Sequence, residues 1–92
     1  MEIKKKYNVG MLQIQARINN GFVTMTTNMP QVVRQIYEIK KSEGKKIRYN
    51  ERLQCLVEYY DGKTAEQIAE IVDNEVKLAF KQGYETFKGK AK

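Results

Sequence analysis

Alternating hydrophobic and polar residues predict a β-hairpin between residues 11 and 29. Asn20-Gly21 is the residue pair that most favours a two-residue type I′ turn, because both positions need a positive φ. With this turn Ile18 pairs with Val23, and one face of the hairpin becomes almost wholly apolar. The opposite face is polar and carries Gln13, Gln15, Arg17, Thr24, Thr26 and Asn28. A shift of one residue would mix the two faces, so the pattern supports this register.

Three segments with apolar residues at three- and four-residue spacing predict helices. The first runs from Gln31 to Glu43, directly after Pro30, which suits the first turn of a helix. The second is expected to begin at the capping residue Asn50. Its apolar stripe consists of Leu53, Leu56, Val57 and Tyr60.

The third and longest amphipathic segment runs from Thr64 to Phe80. Thr64 and Gln67 have the spacing of a capping box, in which each side chain binds the backbone N–H of the other residue. Residues 61–81 also loosely resemble a helix-turn-helix unit with its turn near Asp73. We favour one continuous helix, because this turn lacks a glycine and the preceding segment is acidic enough to repel DNA.

The order of these elements predicts the fold class. Short alternating stretches at residues 1–9 and 45–49 are each compatible with one more strand. We therefore expect an α+β fold in which an antiparallel β-hairpin, or a small three-stranded sheet, packs against three helices. A chain of 92 residues without a repeat or linker is expected to form a single small domain over residues 1–92. The lysine-rich residues 88–92 are expected to form a flexible basic tail.

Composition argues for a soluble, cytoplasmic protein. One cysteine, Cys55, excludes an intrachain disulfide and fits a reducing compartment. No segment approaches the roughly 20 apolar residues that span a bilayer, so we expect no membrane association. The lysines near the N-terminus are not followed by an apolar run long enough for a signal peptide.

The residue types argue against an enzyme. The chain has no histidine, the commonest general base and metal ligand, and Ser42 has no base beside it. We expect Cys55 to be a buried structural residue. Glu66, Glu70 and Asp73 share one helical face, but solvated acids near a helix N-terminus explain them more simply than a metal site. We therefore predict no catalytic residues, no metal and no cofactor.

The net charge of +6 is unevenly distributed along the chain. Between Leu53 and Val76 there are six acids and one base, whereas the rest carries sixteen bases and five acids. Clustered bases neutralise phosphates, so this distribution favours binding of a polyanion. A solvated, solubilising surface explains the lysines about equally well. The candidate nucleic-acid contacts are Lys40, Lys41, Lys45, Lys46, Arg48, Arg52, Arg17, Gln13 and Gln15.

These observations lead to two functional hypotheses. The first is a small non-enzymatic nucleic-acid-binding protein with an accessory or regulatory role, acting on DNA or RNA. Two-stranded ribbons can enter a major groove, so the polar hairpin face is a candidate reader of base edges. The alternative is a protein–protein interaction module, such as a small inhibitor or adaptor, that binds a larger protein or itself as a homodimer. Its candidate contacts are Ile71, Leu78 and Tyr59.

Overall fold

A computed structural model of the protein describes residues 2–82, so the predicted tail at residues 88–92 lies outside the described residues. The elements in chain order are β1 (Ile3–Val9), β2 (Leu12–Asn19), β3 (Phe22–Thr27), α1 (Pro30–Ser42), β4 (Ile47–Asn50), β5 (Cys55–Tyr59) and α2 (Ala65–Gln82). The strands form one antiparallel sheet in the order β1-β2-β3-β5-β4. Neither described helix is long and apolar enough to cross a bilayer.

Both helices pack against the same face of the sheet. Helix α2 contacts β1, β2 and β3, and α1 contacts β3, β4 and β5. The core lies between this inner face and the helices, and burial of its apolar side chains is the main stabilising contribution. Its largest fully buried members are Leu12, Ile14, Ile18, Val23, Val33, Ile36, Leu56, Ile68 and Val72.

The β2–β3 hairpin has the predicted register around Asn20-Gly21, but its turn is not of the predicted type I′, because Gly21 has a positive φ and Asn20 does not. Ile18 pairs with Val23, Arg17 with Thr24, and Gly21 has a φ of 91°. The polar face predicted for this hairpin is therefore confirmed for its paired residues. The strand predicted near the N-terminus is also present, as β1 on the outer side of β2.

Helix α2 is continuous, which confirms the single helix and not the helix-turn-helix. The predicted capping box is present: the Thr64 N–H donates to Gln67 Oε1 at 3.0 Å, and the Gln67 N–H donates to Thr64 Oγ1 at 3.2 Å. The Asn20 side chain of the hairpin turn accepts a further hydrogen bond from the Ala65 N–H at 2.8 Å. This contact joins the start of α2 to the end of the hairpin.

The predicted helix after Asn50 is wrong, and with it the predicted fold of a hairpin, or a three-stranded sheet, packed against three helices. This region forms β4 and β5, so the fold is a five-stranded antiparallel sheet with two helices. Asn50 closes the turn between these strands, because its Oδ1 accepts a hydrogen bond from the Leu53 N–H at 3.0 Å. Gln54 completes the turn with a φ of 54°, a left-handed conformation that ends helical geometry.

The apolar spacing was misleading because a short apolar run cannot be assigned to a helix or a strand by periodicity alone. In β5 the side chain of Leu56 faces the core, while those of Val57 and Tyr59 face outward. Glu58 also faces the core and is only 3% exposed. A polar residue on the buried face conceals the alternation that marks a strand.

Glu58 is tolerated in the core because Lys40 of α1 reaches it. Lys40 Nζ donates hydrogen bonds to Glu58 Oε1 at 2.7 Å and to Glu75 Oε1 of α2 at 2.9 Å. Burial raises the pKa of the Tyr60 hydroxyl, and the negative charges of Glu75 and Glu58 raise it further. Burial alone would lower the pKa of Lys40, but the two carboxylates outweigh it and raise the pKa overall. Lys40, Glu58 and Glu75 thus form a charged triad that joins α1, β5 and α2.

A second polar cluster joins α2 to the edge strand β1. The Asp73 carboxylate accepts hydrogen bonds from the Tyr7 hydroxyl and from Lys5 Nζ, the latter at 3.3 Å. Both donors are on the inner face of β1, which explains why a lysine interrupts the apolar positions of that strand. Burial raises the pKa of the Asp73 carboxyl, but the hydrogen bonds from Tyr7 and Lys5 outweigh it, so the pKa lies below its ordinary value of 3.8.

Substituting Asp73→Asn is expected to make stability less sensitive to acid. A carboxylate whose pKa is lowered by folding stabilises the protein above the unfolded-state pKa, and this contribution is lost as the pH falls through the folded-state pKa. The wild-type free energy of unfolding should therefore fall more steeply between about pH 5 and pH 2 than that of the variant, in urea unfolding experiments. Asn74→Ala, at an exposed position of the same helix, is the control and should keep the wild-type steepness. If the free energy of unfolding fell with pH as steeply in Asp73→Asn as in the wild type, the Asp73 carboxylate would not stabilise the fold as described.

Candidate nucleic-acid interface

The face of the sheet opposite the helices is not covered by any other described element. We call it the open face. Its side chains follow from strand alternation and register, because residues two apart in a strand point to the same side. The open face consists of Lys4, Lys6, Asn8, Gln13, Gln15, Arg17, Asn19, Phe22, Thr24, Thr26, Arg48, Asn50, Cys55, Val57 and Tyr59.

The open face is basic. Lys4, Lys6, Arg17 and Arg48 are all exposed, and none of the open-face residues is acidic. The acids of α2 belong to the other side of the molecule, where Glu66 and Glu70 are exposed. The open face is therefore free of acids, whereas the helical side carries exposed acids of α2 together with exposed cations such as Lys41 and Lys77. A face that carries cations alone orients a protein toward a polyanion.

Arginines flank an aromatic pair on the open face. Phe22 and Tyr59 are directly paired on β3 and β5, are both half-buried, and have ring centroids 6.5 Å apart. Arg17 pairs with Thr24, which places it diagonally across from Phe22. Arg48 pairs with Val57, which places it diagonally across from Tyr59. Diagonal neighbours in a sheet are about 7–8 Å apart, within reach of long side chains.

One row of paired residues crosses all five strands beside the aromatic pair. It runs Lys4, Arg17, Thr24, Val57, Arg48. The two central side chains are short, so the middle of the row is a shallow floor between cationic ends. Near the β1 end, the residues of β1 and β2 enclose a depression of about 300 Å³, lined by Lys4, Lys5, Lys6, Gln15, Ala16 and Arg17. The row therefore presents cations that can pair with phosphates on both sides of two short side chains.

The predicted basic cluster of residues 40–52 does not form one surface. Arg48 is on the open face, whereas Lys41 lies on α1 with its Nζ 5.6 Å from the Tyr37 ring centroid. Lys45 is exposed in the α1–β4 loop and Arg52 in the β4–β5 turn. Lys46 is also exposed but forms an ion pair with Asp61 at 2.7 Å.

Lys40 has to be removed from the candidate phosphate contacts. It is 9% exposed, and its ammonium group is held by Glu58 and Glu75. A phosphate could reach Lys40 only after the charged triad had been broken. Gln13, Gln15 and Arg17, by contrast, are exposed on the open face as the hairpin register predicts.

The geometry does not favour insertion of the hairpin into a major groove. Strands β2 and β3 are flanked by β1 and β5, so the hairpin is not a free ribbon. Five strands at about 4.8 Å spacing extend roughly 19 Å from the first strand axis to the last. The major groove of B-DNA is about 12 Å wide. The sheet can therefore present a surface to nucleic acid, but it cannot enter the groove face-on.

The three residues of the predicted protein interface do not form one patch. Leu78 of α2 is 49% exposed and Ile71 is half-buried. Tyr59 lies on the open face, with the sheet between it and the helices. Other exposed apolar side chains are in the turns, where Met11 is 81% and Leu53 67% exposed. Cys55 is buried, as predicted, although it belongs to β5 and not to a helix.

Sequence reasoning did not place Lys4, Lys6, Phe22 and Tyr59 together on one surface with Arg17. Lys4 and Lys6 alternate with inward-facing residues of β1, a signal visible in the sequence once that strand is placed beside β2. Phe22 and Tyr59 are separated by 36 intervening residues, and only the β3–β5 pairing brings them together. Comparison of the chain with known protein families, with curated proteins and with solved structures found no match. Function is therefore inferred from the residues of the open face alone.

Proposed function

We propose that this chain is a small non-enzymatic nucleic-acid-binding protein with an accessory or regulatory role, and that its open face is the binding surface. The observation that carries the proposal is the presence of four exposed cations, and no acid, on a sheet face that no described helix covers. Lys4, Lys6, Arg17 and Arg48 would hold phosphates, and Gln13 and Gln15 would add hydrogen bonds.

Several features support this assignment over a solvated surface. The open face gathers four exposed cations from three different strands, β1, β2 and β4, with no acid among them. Two of them are arginines, whose planar guanidinium groups can bind a phosphate through two hydrogen bonds. The chain also has no histidine, and its one cysteine is buried, so a binding role fits its residues better than catalysis does.

The alternative proposal is a protein–protein interaction module, and exposed Leu78 on α2 is the observation in its favour. It has less support, because Tyr59 lies across the sheet from α2. The exposed Met11 and Leu53 are in two separate turns, β1–β2 and β4–β5. A partner would therefore have to use a smaller contact than the three predicted residues suggest.

The proposal is tested by fluorescence anisotropy with labelled 20-nucleotide single strands and duplexes from low to physiological salt. We expect micromolar binding to at least one probe at low salt, because phosphate contacts release counterions. Four contacts to a single strand predict a slope of about −3 for the logarithm of the binding constant against the logarithm of the salt concentration. Absence of binding to every probe at low salt would contradict the proposal and favour a protein partner.

A further inference from the structure

We infer that the open face binds single-stranded nucleic acid in preference to duplex, with bases stacked on Phe22 and Tyr59 and phosphates held by Arg17 and Arg48. This inference rests on the proposed function and specifies its ligand. Its basis is the combination of an aromatic pair and flanking arginines on one uncovered sheet surface.

The aromatic pair favours unpaired bases. Phe22 and Tyr59 are both half-buried on the outer side of the sheet, away from the hydrophobic core on its inner side. In a duplex the faces of the bases are stacked on each other and only their edges are accessible in the grooves. A single strand exposes base faces, and stacking on an aromatic side chain is the usual way in which proteins bind them.

The positions of the cations match this mode of binding. Arg17 and Arg48 lie on opposite sides of the aromatic pair, each diagonal to one ring. A strand whose bases stack on the two rings would therefore have a guanidinium group beside each stacked nucleotide. Thr24 and Val57, which lie between the arginines, are short and partly exposed, so no bulky side chain stands between Arg17 and Arg48.

The width of the sheet argues against a duplex as the preferred ligand. A surface about 19 Å across cannot insert into a major groove about 12 Å wide, so it would contact only the outer phosphates of a duplex. Such contacts would use the cations but leave Phe22 and Tyr59 without a partner. Single strands can use both kinds of residue at once.

The test compares four labelled probes of equal length: a DNA single strand, an RNA single strand, a DNA duplex and a DNA strand of abasic residues. We expect at least one of the base-bearing single strands to bind about tenfold or more tightly than the duplex. The double variant Phe22→Leu/Tyr59→Leu should weaken binding of that strand about tenfold or more, because stacking contributes strongly for each base. The abasic strand keeps the phosphates and lacks the rings, so its binding should be almost the same for the variant and the wild type.

Two further variants separate stacking from a general effect on folding. Tyr59→Phe keeps the ring and should retain single-strand binding. Tyr37→Leu removes an aromatic side chain that contacts Tyr49 and the core, at a ring-centroid distance of 5.6 Å, and should also leave binding unchanged. Urea unfolding of each variant verifies that the protein tested is folded.

The outcomes distinguish this inference from the proposed function. Duplex binding equal to or tighter than both single strands would overturn the inference and leave nucleic-acid binding in place. Equal weakening of abasic and base-bearing strands by Phe22→Leu/Tyr59→Leu would overturn it as well. Failure of all four probes to bind at low salt would overturn the inference together with the proposed function.

Discussion

Replacing Lys40 with methionine is expected to lower the free energy of unfolding by about 3–5 kcal/mol. Methionine keeps most of the apolar stem but leaves Glu58, which is 3% exposed, without its cation. An uncompensated buried charge costs far more than a lost surface ion pair. Since small domains are stable by only about 5–15 kcal/mol, the variant should lose a substantial part of its stability. Urea unfolding measures the loss.

Two variants determine whether the buried charge is the cause. Lys41→Met changes the neighbouring exposed lysine and should alter stability by no more than about 0.5 kcal/mol. The double variant Lys40→Met/Glu58→Met removes both buried charges and should recover most of the lost stability, because apolar replacements of a buried pair are often neutral. A Lys40→Met variant as stable as Lys41→Met would contradict the structural role of the charged triad.

The same triad predicts that the protein becomes less stable at strongly alkaline pH. Since folding raises the pKa of Lys40 above its ordinary value of 10.5, its contribution is fully present below that value. The contribution is lost as the pH rises through the higher folded-state pKa. At neutral pH the contribution of Lys40 is therefore fully present, and the comparison of Lys40 and Lys41 variants is best made there.

Local signals in the sequence were sufficient for part of the fold. The Asn20-Gly21 turn sets the hairpin register, and the Thr64–Gln67 capping box marks the start of α2. Both depend on residues that are adjacent or nearly adjacent in the chain. The interactions that stabilise such a short segment lie within the segment, so its structure can be predicted without knowledge of the tertiary structure.

The strand β5 could not be predicted in the same way. Its buried Glu58 contradicts the usual pattern, and the partner that makes its burial acceptable, Lys40, lies 18 residues earlier. Glu75, the other member of the triad, lies 35 residues after Lys40. The residue pattern of β5 alone cannot reveal that Lys40 of α1 and Glu75 of α2 complete the charged triad around Glu58.

The candidate site shows the same limit. Arg17, Gln13 and Gln15 follow from the hairpin register alone. Lys4 and Lys6 join this surface only because β1 pairs with β2, and Phe22 and Tyr59 come together only because β3 pairs with β5. Lys40 was included in the site because it belongs to a basic run in the sequence. Consecutive residues of a helix point in different directions, so Lys40 and Lys41 face different sides of the molecule.

Removing the four cations of the open face is expected to abolish most of the salt-dependent binding to nucleic acid. The variant carries Lys4→Gln, Lys6→Gln, Arg17→Gln and Arg48→Gln. Loss of these contacts should weaken single-strand binding by about tenfold or more at low salt, since phosphate contacts supply most of the non-specific affinity. Glutamine keeps the side chains polar, and all four positions are exposed, so the fold should be retained.

A control with the same net charge isolates the effect of position. Lys41, Lys45, Lys63 and Lys77 are exposed on the helices or in the loops beside them. Replacing these four with glutamine lowers the formal charge from +6 to +2, as the open-face variant does. If binding depended only on overall charge, the two variants would behave alike.

The salt dependence of single-strand binding by these two variants is the most direct test of the open face as the binding surface. The open-face variant should lose about 3 units of slope in the logarithmic plot, which brings it close to zero, whereas the control should keep the wild-type slope. The opposite pattern, with a wild-type slope in the open-face variant and a flat plot in the control, would place the phosphates on the helical side and contradict this account.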